Sequence, residues 1–546
     1  MEFSGRNNGW TDTTADLHQR SGMDGGGGIR GNGIQDRVGS TGVLTLNLIN
    51  SDHNSAGLQG YYTIGHANQR SGFKNGIGIR VSITIGVTDY VLFTGEITKI
   101  NPSPGVKLNR LTRVTAVDYM DKCARTPVRG LSVVQAMAEH DAFDAIVDIM
   151  TVQPRARATG AGFDTFDFVF DATREEQDRV LTELQRLGQS SLANIYVKGD
   201  GTLVYEPRTI RATPSDPVID ITEADLRNMA PATVDDNTIA LINKIETIVA
   251  PRRQESAAVV LYELSQPQGF PTGGPFQLKG LFTDPAQRAL RAGGLNLITA
   301  VAPTDLEFNA QADGLGADVT AQVSVSTTFT GNAVLFGITN NSGDTAYAIK
   351  LQARGEGVTQ VEAVTLEAKD DDLISELGEQ TQSLEMPYQS DIVVAQEVAQ
   401  WLLHLLSQER KEVTAVPLFL DPTDEARAAL IANRQIGDRF AITEEMTGLI
   451  AREFFINAID FRMDGDGLAW VVWEPAAADE TNFWYLEQVG FSELGQTTRL
   501  GFGYVVGHTD VVHSDSHGDD AHADTAHTDT HADTHDDVAH DDVAHT

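Results

Sequence analysis

The stretch Ile79-Arg80-Val81-Ser82-Ile83-Thr84-Ile85 alternates apolar and polar side chains. Because successive side chains of a strand point to opposite faces, this alternation predicts a strand with one buried face. Similar apolar runs lie at residues 43–49 before it and at residues 90–100 and 113–118 after it. Short strands broken by Gly, Asn and Pro at this spacing predict a barrel or sandwich over residues 38–126.

The composition limits what the rest of the chain can do. With 546 residues, 41 % of them apolar, it is long enough for three to four domains. Its 77 acidic and 40 basic side chains give a net charge of −37. This charge excludes a protein whose main role is to grip nucleic acid, because phosphate binding needs clustered Lys and Arg. With no run of 18 apolar residues and no signal-peptide pattern at the start, we expect no stable membrane insertion.

The remaining segments differ in their periodicity. Residues 1–37 contain nine glycines, which predicts a flexible arm. A helical period follows the first β segment, and alternation then returns. The predicted fold is mainly β with α+β parts. The predicted divisions are 1–37 (arm), 38–126 (first barrel), 127–210 (helical and hairpin domain), 211–254 (connecting strands), 255–362 (inserted β-sandwich), 363–502 (second barrel with a helix over 390–412) and 503–546 (low-complexity tail).

The sequence gives no positive argument for an enzyme. It lacks the Gly-x-Ser-x-Gly, His-Glu-x-x-His and Walker motifs. Cys123, the single cysteine, excludes an intrachain disulfide and is interpreted as a structural thiol despite its basic neighbours. We expect His404, inside the apolar helix, to have a hydrogen-bonded packing role. The pair Asp371 and Asp372 is interpreted as a solvated face.

The end of the chain repeats the unit His-x-Asp. From Leu500 onward there are 11 Asp and no Glu, Lys or Arg, so this end carries −11 of the net charge and residues 1–499 carry −26. Nine of the 14 histidines also lie there. The candidate metal ligands are the histidine and the aspartate of each unit: His508 and Asp510, His513 and Asp515, His517 and Asp519, His522 and Asp524, His527 and Asp529, His531 and Asp533, His535 and Asp537, and His540 and Asp542.

On a strand, residues two apart share a face, so each unit can present an imidazole and a carboxylate together. These ligands suit a divalent transition metal such as zinc, iron, nickel or copper. In a trimer, three units at one level would supply six ligands. Two other interpretations stay open: a solvated tail of high charge, and a repeat stalk that docks on a partner fibre or spike.

Several phrases, taken in order over residues 38–502, resemble the hub proteins of phage tails, which are minor tail or baseplate-hub proteins related to the trimeric hub of contractile phages. The phrases are Tyr90–Ile97 with Val114–Asp118, Leu181–Leu187 with Gly199–Arg208, Leu241–Ile245, Asn340–Tyr347 with Leu351–Gly355, Gln435–Phe440, and Trp484–Leu486 with Ser492–Leu500. The resemblance does not cover the N-terminal arm or the His-x-Asp tail.

This resemblance implies a trimer in which two tube-like β-barrels per chain imitate the sixfold tail tube and close its end. It implies a structural protein of the virion, at the distal end of the tail, assembled in the host cytoplasm, with no catalysis and no required cofactor. Its implied partners are tail tube or distal tail ring proteins and a central fibre or spike. DNA would pass through without specific binding, and an acidic wall would repel its phosphates.

Three further functions stay open at this stage. One is a bacterial surface or metal-scavenging protein, which the lack of a signal-peptide pattern disfavours. The chain could be a distal tail ring or fibre-adaptor subunit, which a hexamer rather than a trimer would indicate. It could also be a tail-borne glycan hydrolase with an unmarked carboxylate pair, because sequence alone does not show carboxylate separation.

Overall fold

Strands dominate the computed structural model, which confirms the mainly-β prediction. The structure describes residues 1–4, 9–31, 33–104, 110–162, 164–174, 177–212, 215–226, 234–236, 241–408, 411–464 and 468–478. All of these residues belong to one unit of the chain, Met1–Phe502.

The described residues form strands β1 to β31 along the chain. The first group is β1 (Glu2–Ser4), β2 (Thr11–Asp12), β3 (Met23–Gly28), β4 (Ser40–Ile49), β5 (Gly78–Ile85), β6 (Thr88–Pro102), β7 (Leu111–Val117), β8 (Val134–Ala138), β9 (Ala156–Thr159), β10 (Thr165–Val169), β11 (Asn194–Val197) and β12 (Thr202–Glu206). The second group is β13 (Asp220–Thr222), β14 (Val234–Asp236), β15 (Lys244–Val249), β16 (Arg252–Gln254), β17 (Val259–Glu263), β18 (Gln268–Phe270), β19 (Gly273–Leu281), β20 (Gly293–Ile298), β21 (Leu306–Asn309), β22 (Val323–Thr330), β23 (Ala333–Asn340) and β24 (Ala346–Gln360). The last group is β25 (Val364–Lys369), β26 (Thr381–Glu385), β27 (Lys411–Val413), β28 (Val416–Leu420), β29 (Arg439–Glu444), β30 (Leu449–Met463) and β31 (Ala469–Ala477).

The α-helices are α1 (Met120–Arg125), α2 (Glu139–Asp148), α3 (Val180–Ser191), α4 (Arg208–Ala212), α5 (Glu223–Leu226), α6 (Asp371–Leu377), α7 (Ile392–Leu406) and α8 (Glu425–Ala432). No helix of the described residues is both long and apolar enough to cross a membrane.

Twelve strands from both ends of the chain form one sheet. Its order is β13-β29-β30-β3-β4-β7-β6-β5-β1-β2, with β31 paired to the second side of β30 and β28 paired to β31. The sequence pattern predicts that these strands belong to two separate barrels, at residues 38–126 and 363–502. In the structure they instead share hydrogen bonds and a single apolar core, which contains side chains such as Phe3, Leu46, Phe93, Phe440 and Trp473.

The glycine-rich strand β3 joins the two sets of strands. Gly25, Gly26 and Gly28 pair with β4 on one side, and Met23–Gly28 pairs with β30 on the other. The prediction of a flexible arm over residues 1–37 is therefore wrong for this segment. Glycine is required here because there is no room for a side chain: a Cβ on Gly25 would lie 2.7 Å from the ring of Phe461. The sequence pattern shows glycine content but cannot show that neighbouring strands fill the space of the missing side chains.

A helical region follows the first strands. α2 and α3 pack together around Phe143, Ile146, Leu184 and Leu187. The helical period predicted after the first β segment is wrong for Val134–Ala138, because this stretch forms β8, which pairs with β10. The hairpin predicted within residues 127–210 is present, as β11 and β12 pair antiparallel across Gly199–Gly201.

The strands from Arg252 to Gln360 make two sheets of their own. One has β24 paired with β16, β17, β18, β20 and β21, and the other has the order β19-β23-β22. Their core holds Phe282, Phe308, Phe336 and Leu351. The predicted limits of the insert, 255–362, and those of the segments 127–210 and 211–254 stay predictions.

Candidate assembly surface

Every predicted metal ligand of the His-x-Asp tail lies outside the described residues. The histidines concerned are His508, His513, His517, His522, His527, His531, His535 and His540. The aspartates concerned are Asp510, Asp515, Asp519, Asp524, Asp529, Asp533, Asp537 and Asp542.

The described residues offer no substitute for this site. Within the part of the chain that the structure describes, no group of three or more His, Cys, Asp or Glu side chains could hold a metal ion. The zinc, iron or nickel site of the His-x-Asp tail therefore stays a prediction.

Two other predicted positions have clear surroundings. Cys123 is fully buried, with its Sγ 4.0 Å from Sδ of Met150, and burial raises the pKa of its thiol to about 12. Such a thiol stays protonated and unreactive, which agrees with a structural role. The packing role expected for His404 is wrong, because this side chain lies on the exposed face of α7.

The sheet presents unpaired edges at both of its ends. β28 pairs with β31 alone, and β13 pairs with β29 alone, among the described strands. At the other end, β1 covers only Gly78–Arg80 of β5, so Val81–Ile85 hydrogen-bonds to β6 on one side. Unpaired backbone N–H and C=O groups along a strand are a template for pairing with another chain.

A cavity of about 590 Å³ lies beside the open edge of β5. Its wall includes Ser82 and Thr84 of β5, Asp12 of β2, and Met463 and Asp464 at the end of β30. The first and last strands of the chain therefore approach each other across this space. A strand from another subunit would find both hydrogen-bonding groups and room here.

Buried ion pairs tie the helical region to the segment that precedes α7. The guanidinium of Arg252 is 1 % exposed and lies 3.2 Å from the carboxylate of Asp171, which is 2 % exposed. It also donates to the carbonyl oxygens of Pro387 and Gln389. Nearby, the hydroxyl of Tyr388 donates to Glu183. Burial raises the pKa of Glu183, and the charge of Arg186 opposes this rise.

A buried carboxylate also lies beside the glycine-rich strand. Asp118 follows β7, and its Oδ1 accepts a hydrogen bond of 3.0 Å from the backbone N–H of Met120. Its Oδ2 lies 3.4 Å from the position that a Cβ on Gly27 would take. Burial raises the pKa of Asp118 to about 7. This side chain therefore changes charge near neutral pH at the junction between β3 and β4.

Known proteins resemble this chain at the level of structure. No family model matches it, and no curated protein matches it. It is similar to the 43 kDa tail protein of prophage MuSo2 from Shewanella oneidensis, with 11 % identity, coverage of 88 % of this chain and 98 % of that chain, and a TM-score of 0.43. A tail protein from Neisseria meningitidis MC58 gives 10 % identity, 84 % and 92 % coverage and a TM-score of 0.42.

A third similar structure is an E. coli component of the type VI secretion system, described as structurally similar to bacteriophage T4 tail proteins. It gives 8 % identity, 86 % and 98 % coverage and a TM-score of 0.26. These neighbours agree with the predicted resemblance to phage tail proteins.

Proposed function

We propose that this chain is a structural protein of a phage tail tip. It forms a trimeric hub that closes the tail tube, contributes part of the DNA channel and anchors a central fibre or spike. Its mechanism is assembly, and it needs no cofactor for this role. The virion, at the distal end of the tail, is its proposed location, after assembly in the host cytoplasm.

One observation supports the proposal most directly. A single sheet combines strands from residues 2–117 with strands from residues 220–222 and 416–477, and it has open edges at β5 and at β28. Two different edges on one sheet favour head-to-tail pairing, in which each copy offers β28 to a neighbour's β5. Such heterologous contacts close into a ring when the rotation between copies allows it.

The charge of the body is compatible with a DNA channel. Residues 1–499 carry a net charge of −26. A channel lined with like charge would repel phosphate groups and let DNA pass. We expect acidic side chains to outnumber basic ones on the channel wall of the assembled ring.

The mass of the purified full-length assembly tests the oligomer. Light scattering should give three times the 59.0 kDa of one chain. A hexamer would instead favour the distal ring or adaptor subunit, and a stable monomer at micromolar concentration would contradict the hub. Repeating the measurement after chelator treatment shows whether metal in the tail contributes to assembly, because a trimer that depends on that metal would dissociate.

A further inference from the structure

We infer that one end of the twelve-stranded sheet docks onto a basic protein surface with apolar sockets, belonging to a neighbouring component of the tail. This end is called the hairpin-tip surface. It consists of residues 86–89 in the β5–β6 turn and at the start of β6, residues 223–225 of α5, residues 421–427 before and at the start of α8, and residues 444–446 at the end of β29 and in the turn that follows it. The inference rests on the proposed function, since that function supplies the neighbouring component.

Contacts bring these four segments together. Gly86, at the first hairpin tip, is so close to α8 that a Cβ on it would lie 3.5 Å from Oε2 of Glu425. Two residues further along α8, the guanidinium of Arg427 donates to Asp225 of α5 at 2.6 Å. From α5, the carboxylate of Glu223 accepts a hydrogen bond from the backbone N–H of Glu445, at the second hairpin tip, at 3.3 Å. The two tips therefore belong to one continuous surface.

Large apolar side chains project from both tips. Val87 is 100 % exposed and Met446 is 92 % exposed, while Ile450, four residues further along the chain in β30, is 65 % exposed. Hairpin tips usually carry Gly, Asn, Asp or Ser, which suit both the turn and the solvent. Large exposed apolar side chains with a polar rim are typical of interaction sites, and flexible Met is common at binding surfaces.

The rim of the hairpin-tip surface is strongly acidic. Its four segments contain eight carboxylates, which are Asp89, Glu223, Asp225, Asp421, Asp424, Glu425, Glu444 and Glu445, and one guanidinium, that of Arg427. Several carboxylates accept hydrogen bonds from hydroxyl groups, such as Asp89 from Thr84 and Glu444 from Thr447, both at 2.6 Å. These bonds fix the side chains in place and leave their negative charge on the surface.

Charge complementarity indicates which kind of partner binds the hairpin-tip surface. DNA would be repelled by this rim. The same surface on a second copy of this chain would also be repelled, because it carries the same eight carboxylates. A surface rich in Lys and Arg is attracted, and apolar sockets on it would bury Val87 and Met446. Complementary charge favours the encounter, and the buried apolar anchors provide the affinity.

Photocrosslinking in assembled particles tests the partner's chemistry. Benzoylphenylalanine is placed at position 87, at position 446, or at position 315, where Leu315 is 84 % exposed in the insert. We expect positions 87 and 446 to cross-link to one other tail protein, within peptides where Lys and Arg outnumber Asp and Glu. Position 315 should not give that product. Cross-links from 87 and 446 to another copy of this chain, to DNA or to acidic peptides would overturn the inference, as would the absence of any cross-link.

Surface variants test the contribution of the tips. Two double variants should each lower incorporation into particles by at least about tenfold. One combines Val87→Ser with Met446→Ser, and the other combines Glu425→Lys with Glu445→Lys. Leu315→Ser and Glu376→Lys on α6 are the matched controls and should incorporate normally. Circular dichroism of each purified chain verifies folding. Normal incorporation of the tip variants would overturn this inference alone, whereas absence of the wild-type chain from particles would overturn the proposed function.

Discussion

Gly26 of β3 lies so close to Asp460 of β30 that a Cβ on Gly26 would be 2.7 Å from the Cα of Asp460. It would also lie 2.6 Å from the carbonyl oxygen of Ile459. The Asp460 carboxylate accepts a hydrogen bond from the Arg30 guanidinium at 2.9 Å. At this place β3, near the start of the chain, pairs with β30, near its end. We call this contact between Gly26 and Asp460 the joint of the twelve-stranded sheet.

We predict that Gly26→Ala destabilises the protein by about 3 kcal/mol, since the new methyl group must displace backbone atoms of β30. Urea denaturation of the full chain measures the change. Gly343→Ala is the matched control, because a Cβ there meets nothing within 4 Å. The control should change the free energy of unfolding by less than about 0.5 kcal/mol. Equal changes in the free energy of unfolding for the two substitutions would contradict the close packing of Gly26 against β30.

The pairing of β3 with β30 could not be predicted from the sequence, whereas β5 could. The alternation at Ile79–Ile85 predicts β5 well, because one face of that strand is buried and the other is not. The run Gly25–Gly28 carries no side chains and therefore no periodicity, although it pairs on both sides. Its role depends on strands more than 400 residues away in sequence, and no local pattern contains that information.

The buried pair of Arg252 and Asp171 should be critical for stability. Arg252→Ala leaves a buried carboxylate without its cation, so we predict a loss of about 3–5 kcal/mol. Arg462, by contrast, is 71 % exposed and pairs with Asp464, which is 38 % exposed. We expect Arg462→Ala to cost about 1 kcal/mol or less, as exposed ion pairs do. Thermal unfolding of both variants checks the difference, and a similar cost for both would refute the role given to burial.

Asp118 should make stability depend on pH. Its folded-state pKa of about 7 exceeds the value near 4 of an unfolded chain, chiefly because of burial. The folded state then holds its proton more tightly, so this stability is complete below about pH 4 and is lost as pH rises through about 7. Asp118→Asn stays neutral, and its stability relative to the wild type should rise over this range. Parallel pH curves for the two proteins would exclude this effect.

The His-x-Asp tail should bind a divalent transition metal. We predict that the full chain, washed with chelator and dialysed against zinc or nickel, retains metal at pH 7.5 and releases it near pH 5, where the imidazoles are protonated. Elemental analysis by mass spectrometry gives the metal content. A variant with the histidines from His508 to His540 changed to Gln is the control. Metal retained equally by that variant, or absent from the wild type, would eliminate the site.

The hairpin-tip surface was not accessible to sequence reasoning. Val87 and Met446 lie at turns about 360 residues apart, and each looks like an isolated apolar residue in the sequence. Their common surface arises from α8, which reaches both the β5–β6 hairpin and α5. Exposure, rather than residue type, distinguishes these two side chains from the many apolar residues of the core.

Localisation within the particle tests the central claim most directly. Gold-labelled antibodies against the full chain would be applied to purified particles and viewed by negative-stain electron microscopy. The account predicts label at the distal end of the tail, where a hub closes the tube. Label along the tail shaft, label on the capsid, or no chain in the particles would contradict it.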